Sequence, residues 1–301
     1  MKYGAVLKLR AVIDPIAVRT PTRRPLVVAA LLGGGALAGC QDNLTEPVRD
    51  DYRTRDPAPL TCLPNLDGRI DATEIQPALG VDVRYLISPD GTTREVDFVG
   101  TDGGDRTVWD FGTDFADDQV ATVTPAALDG QWFADAFPAD TFVTPFDGEG
   151  RTLSINRYAP DIGLQLLGLA SRDPAPPEGQ TLLVYSPAIT VLRFPIQTGD
   201  TFVSQGDIID GTLRGLPYAG TDTYEVTVDA RGEVRLPQLT FDEAHRVRTR
   251  VTVQPAVGTA TSTRQVSFFT ECFAEVVRVT SPLDEDNPDF AVAQQLRRLG
   301  F

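Results

Sequence analysis

The sequence predicts a mainly β protein: a large antiparallel, curved sheet or a sandwich, with a short C-terminal helix. Three observations carry that expectation. Apolar and polar residues alternate in runs of five to eight from about residue 80 onward, the period of a half-buried strand. The runs are separated by clusters of turn residues, in a chain holding 26 Gly and 23 Pro. A hydrophobic fraction of 42% over 301 residues is enough to bury a core, and no fixed-period repeat is visible.

The elements follow in order. Residues 81–87 and 93–99 read as two strands around a turn at 88–92, followed by 106–112, 118–124, 151–158 and 162–170. A Pro-rich stretch at 172–179 is either a domain boundary or a long hairpin loop, and 181–186 and 189–196 read as strands beyond it. The sharpest hairpin signal lies at 223–237. There Tyr224, Val226 and Val228 share one face, and Asp229-Ala230-Arg231-Gly232 reads as the turn. Residues 246–253 place Val247, Val251 and Val253 inward and Arg246, Arg248 and Arg250 outward, while 263–280 is long enough for one bent strand or two. Only 288–300 reads as a helix, with Arg297 and Arg298 at the end its dipole favours.

Charge divides the chain. Residues 1–39 hold six basic residues and one acid, which leaves 21 basic and 41 acidic residues in 40–301. The whole chain carries a formal charge of −15, which repels phosphate backbones and excludes nucleic acid as a partner. With one His, His245, the chain cannot build a His-pair mechanism or a His-rich metal site, and it has no Gly-x-Ser-x-Gly elbow. His245 therefore reads as structural.

Arg23 and Arg24 precede an apolar run, Leu26 to Ala38, that ends Leu37-Ala38-Gly39-Cys40. A basic region, a short apolar region and small residues before a cleavage point are the parts of a secretory signal, and the run is too short to span a bilayer as a helix. Its end resembles the lipobox of bacterial lipoproteins. That resemblance implies cleavage before Cys40, acylation of Cys40 on its sulfur and amine, and anchoring in the lipid bilayer. Gln41 after the Cys implies the outer membrane. Two or three acyl chains hold a protein stably without a further lipid-binding patch. The expected organisation is a signal peptide at 1–39, a flexible tether at 40–60, a β domain at 61–287 and the helix at 288–301. The 223–251 run, with 194–202, is similar to a recurrent hairpin of uncharacterised exported β-rich lipoproteins of Gram-negative bacteria. Some of those resemble periplasmic lipoprotein carriers.

Three groups of residues are candidate sites. Cys62 and Cys272 are the cysteines left once Cys40 is acylated, and an even pair in an exported chain points to a disulfide. Residues 63–74 resemble a calcium loop, with Asn65, Asp67, Asp71 and Glu74 as oxygen ligands and Gly68 at the bend. Leu63 stands where the first acid belongs, and the same residues also fit a turn followed by a short helix. The stripe Arg246, Arg248 and Arg250 suits either an anion site or a cross-strand ladder with acids such as Glu225. The leading functional reading is a non-catalytic lipoprotein with a binding or structural role and an unknown protein or small ligand as partner. Its rivals are a carrier of a hydrophobic ligand and a carboxylate-based hydrolase. A deep cavity would favour the carrier and two facing acids the hydrolase.

Overall fold

A computed structural model describes residues 62–300, all within a unit that begins at Ala58. The expected signal peptide at 1–39, Cys40 and the tether at 40–60 lie outside the described residues. The first strands are short: β1 (Val83–Ile87), β2 (Arg94–Glu95), β3 (Thr101–Asp102), β4 (Thr107–Asp110), β5 (Gln119–Val123), β6 (Ala126–Ala127) and β7 (Phe142–Pro145). The following strands are longer: β8 (Thr152–Ala159), β9 (Gly163–Ser171), β10 (Leu182–Arg193), β11 (Thr201–Leu213), β12 (Leu216–Arg235), β13 (Thr240–Pro255), β14 (Thr261–Thr270) and β15 (Ala274–Thr280). β16 (Val292–Ala293) and β17 (Gln295–Leu299) end the series.

Among the described residues, 15 strands form one sheet whose main path runs β5-β1-β17-β15-β14-β13-β12-β11-β10-β9-β8-β7-β6. Neighbours along this path are antiparallel. β4 lies parallel to the last residues of β12, and β3 pairs with β4. A separate ladder joins β2 to β16.

The path has an informative property. Its two ends, β5 and β6, are neighbours in sequence, separated only by Thr124 and Pro125. Three peptide steps span at most about 11 Å, so the two ends of the sheet must lie close together. The sheet is therefore curled into an open roll. β5 and β6 do not pair with each other, and a seam remains at Pro125, which has no N–H to give to a ladder.

Strand alternation gives the roll two faces. The face away from the interior carries Val266, Phe268, Val277, Val279 and Leu296, all buried beneath Phe98, Trp109, Phe111 and Phe290. Trp109 and Phe268 pack with centroids 5.0 Å apart, and the Trp109 indole N–H donates to the Phe98 carbonyl at 3.0 Å. Burying each such side chain contributes about 1.5–3 kcal/mol. On the other half of the sheet, Leu128, Phe133 and Phe137 cover Val143, Leu153 and Ile155. On the inner face, Ile70 and Ile196 form a bridge, and both pack with Phe202, Val226, Val228 and Val247.

The expected helix at 288–300 is absent. Phe290, Ala293, Leu296 and Leu299 are buried at a spacing of three, which mimics a helical stripe. The segment instead breaks after β16, and β17 inserts between β1 and β15, where both of its edges are hydrogen-bonded. Two-sided pairing outweighs a weak local helical preference.

The expected hairpin at 223–237 is also corrected. β12 runs through Asp229–Gly232 without turning and pairs with β13 along its length, with register shifts near 228–230 and 232–234. Gly232 is there for space. A Cβ at that position would lie 2.3 Å from the Thr107 carbonyl oxygen and 2.8 Å from the Trp109 ring. The expected strand at 93–99 shrinks to β2. Residues 172–179 are the connection between β9 and β10, which pair directly, and 263–280 forms two strands.

Candidate functional site

The disulfide between Cys62 and Cys272 is present, with Cα atoms 5.5 Å apart and 210 residues of separation. It fixes the start of the described chain to the β14–β15 turn. Its neighbour Glu271 strengthens the attachment, accepting from the backbone N–H of Asn65 at 2.5 Å and of Leu66 at 3.1 Å. The Tyr158 hydroxyl donates to the Ala72 carbonyl. Residues 62–75 are thus strapped to the inner face beside Ile70 by bonds to three distant parts of the chain.

This strap is the segment that resembles a calcium loop, and its oxygens are otherwise engaged. Asn65 Oδ1 accepts from the Asp67 N–H at 2.8 Å, and Asp67 Oδ1 accepts from the Arg69 N–H at 3.1 Å. Arg69 lies 3.4 Å from Asp67 and 3.3 Å from Asp71. Glu74 Oε2 accepts from the Asp71 N–H at 2.7 Å, at the start of a 3-10 turn Ala72–Glu74. Burial raises the Glu74 pKa, against the lowering effect of that bond, and nearby Glu271, Asp71 and Asp67 raise it further. Among the described residues, no three His, Cys, Asp or Glu side chains converge to hold a metal ion. These contacts cross-brace the strap.

The arginine stripe forms a ladder. Arg246 and Arg248 reach Asp229 at 2.7 and 2.6 Å, Arg248 also reaches Asp289 at 2.6 Å, and Arg250 stands opposite Glu225 at 3.9 Å. His245 is 1% exposed, between Arg231 on β12 and Phe269 on β14. Burial, reinforced by the Arg231 charge and offset in part by Asp67, lowers its pKa to about 4. It is neutral at pH 7 and serves the core.

The arrangement with chemical potential lies elsewhere. A cleft of about 560 Å³ opens inside the roll. Ile87, Ala121 and Val123, from the β5 end of the path, form one apolar wall. The β7–β8 turn around Phe146 and the β9–β10 connection around Pro176 face them, so both ends of the sheet contribute. Arg278 on β15 and Arg297 on β17 lie directly opposite each other in register and line the cleft.

Between them sits Glu275. Arg278 donates to both of its oxygens, at 2.6 and 2.7 Å, and Arg297 donates to the second. The Ser267 hydroxyl adds a bond at 2.6 Å. Burial pushes Glu275 up, but the two guanidiniums outweigh it and hold the carboxyl below its ordinary value. Burial and the Arg278 charge together lower the Arg297 pKa. The Arg297 guanidinium also lies 4.6 Å from the Tyr85 ring centroid, which fixes its plane. Arg278 keeps 30% of its side chain accessible, although it sits well inside the fold. The cleft is what it is accessible to.

Adjacent Arg298 shows what this pleat separates. It points to the opposite face, fully buried, and bonds Asp118 at 2.6 Å and the Phe111 carbonyl at 2.6 Å. Arg298 therefore ties the outer layer down, while Arg297 serves the interior.

The acids at the cleft rim are largely committed. Asp147 accepts from the N–H groups of Arg151 and Thr152 at 2.9 and 2.8 Å, Glu149 pairs with Arg151 at 2.6 Å, and Asp173 accepts from the Ala175 N–H at 3.0 Å. These contacts shape the turns at the rim. Sequence reading did not single out Arg278, Arg297 or Glu275, because only the order of β14, β15 and β17 in the sheet brings them together. Comparison with family models, with curated proteins and with solved structures finds no match to this chain.

Proposed function

We propose that this chain is an exported lipoprotein, anchored in the outer membrane through acylated Cys40, whose rolled sheet is a non-catalytic binding body. The cleft carries the binding part of this reading. The cleft of about 560 Å³ sets the apolar patch of Ile87, Ala121 and Val123 beside a lining rich in charged side chains, Arg278 and Arg297 among them, which suits a polar small molecule with an apolar part. The apolar run ending in Cys40 supports the anchor, and the Cys62–Cys272 bridge is in keeping with an oxidising compartment.

Two experiments test the two halves. Labelled palmitate should enter the parent chain and not Cys40→Ser, and equal labelling of both would end the lipoprotein reading. Native mass spectrometry of the chain extracted from its own membranes should find a bound small molecule. That molecule should be lost in Ala121→Trp, where an indole fills the cleft. An unchanged mass profile would end the binding reading.

A further inference from the structure

We propose that the cleft selects a small organic anion, a single carboxylate or phosphate on an apolar body, and seats its charged group between Arg278 and Arg297. This deepens the reading of the cleft as a binding site and rests on it.

Two guanidiniums and one carboxylate meet on the inner wall, so the cluster holds one positive charge more than it can neutralise. With side chains 30% and 13% accessible, Arg278 and Arg297 are only partly solvated, so an anion that pairs with the excess charge is favoured. Among the described residues, Glu275 is the only acid that bonds either arginine, and the Arg297 Nε–H is buried with no acceptor. Geometry agrees. Arg278 uses Nε and one Nη on Glu275, which leaves its other Nη, and Arg297 uses a single Nη. The remaining donors belong to two opposed residues that line the same cleft.

An oxyanion with two or more acceptor atoms is the group that matches such donors, because planar guanidinium forks bind carboxylate and phosphate bidentately. The stack on Tyr85 and the bonds to Glu275 preorganise the guanidiniums, so little ordering remains to be done on binding. The wall of Ile87, Ala121 and Val123 would take the apolar remainder of the ligand. The rim acids Asp147, Glu149, Asp173 and Glu178 outnumber the rim arginines Arg151 and Arg172 and oppose a second negative charge, which ranks a carboxylate above a phosphate monoester, whose charge at pH 7 is about −1.5 to −2.

The test uses the full chain in lipid nanodiscs, titrated calorimetrically against empty discs. Benzoate and phenyl phosphate are the anionic probes, and benzyl alcohol is the neutral one. The parent should bind an anionic probe more tightly than benzyl alcohol. Whichever anion binds tighter identifies the headgroup chemistry. Arg297→Gln and Arg278→Gln should each weaken anion binding by about tenfold or more, with benzyl alcohol unchanged. Each leaves one arginine to pair with Glu275, so the cluster becomes neutral, and two variants guard against one failing to fold. Glu275→Gln, which frees both guanidiniums, should move affinity the other way and tighten anion binding. Equal anion binding in the parent and the arginine variants, or no preference for anion over alcohol in the parent, would overturn the inference. If Ala121→Trp abolishes benzyl alcohol binding while the charge variants change nothing, the cleft reading stands and the anion inference falls. If Ala121→Trp abolishes nothing, the cleft reading itself falls.

Discussion

Lowering the pH should unload a defined amount of stability through His245. The side chain is 1% exposed and its pKa is pushed down to about 4 by burial and the Arg231 charge, from an ordinary 6.5. The unfolded chain therefore binds a proton near pH 6.5 that the fold refuses until about pH 4. Between those values the unfolded state holds more protons, so stability falls as the pH falls. The contribution is full above pH 6.5 and gone below about 4. A shift of that size, at about 1.4 kcal/mol per unit, corresponds to about 3 kcal/mol. Glu74 and Asp222, whose pKa values burial raises, act in the opposite sense and flatten the slope of the parent. The informative quantity is therefore the difference between the parent and His245→Leu, which has no titrating group and no orphaned Nδ1. Urea unfolding of both at pH 7.5, 6.5, 5.5 and 4.5 supplies it. The parent should lose about 2–3 kcal/mol relative to the variant across this range. Parallel stability curves would refute the placement of a neutral His245 in the core.

Other consequences follow from single contacts. Cys272→Ser opens a bridge spanning 210 residues and frees the strap, and should cost about 3–5 kcal/mol, read as a drop of roughly 10 °C in Tm. Gly232→Ala forces a Cβ against the Thr107 carbonyl and should cost about 1–3 kcal/mol by chemical denaturation, although the sequence there reads as a tolerant turn. Tyr185→Phe removes the hydroxyl that donates to Asp222 at 2.6 Å and leaves that buried carboxyl without a side-chain partner among the described residues. A loss of about 1–3 kcal/mol in the same assay is expected.

What could be read from the sequence was what alternation and turn chemistry encode locally. β8, β9, β13, β14 and β15 lie where period-two runs place them, and the Cys62–Cys272 pair was countable. The errors came where non-local pairing overruled a local signal. Asp229–Gly232 has turn composition, but β13 pairs with β12 straight through it, and the glycine is used for close packing. Residues 288–300 have helical spacing, but β1 and β15 both offer open edges there. Asn65, Asp67, Asp71 and Glu74 fit either a calcium loop or a turn with a short helix in the sequence, and locally they form hydrogen-bonded turns leading into a 3-10 turn at Ala72–Glu74. The cleft was hidden by non-local pairing. Arg297 and Arg298 look alike in sequence, and only the pleat of β17 sends one to the interior and the other to the outer layer.

The central claim is that the rolled sheet encloses a binding cleft with an anion seat in its wall. Crystals of the protein soaked with 4-bromobenzoate test it directly through anomalous scattering from bromine. The account predicts a bromine peak inside the roll near Ile87 and Val123, with the carboxylate on Arg278 and Arg297. Density on the outer face only, or in the cleft with the carboxylate turned away from both arginines, would contradict it.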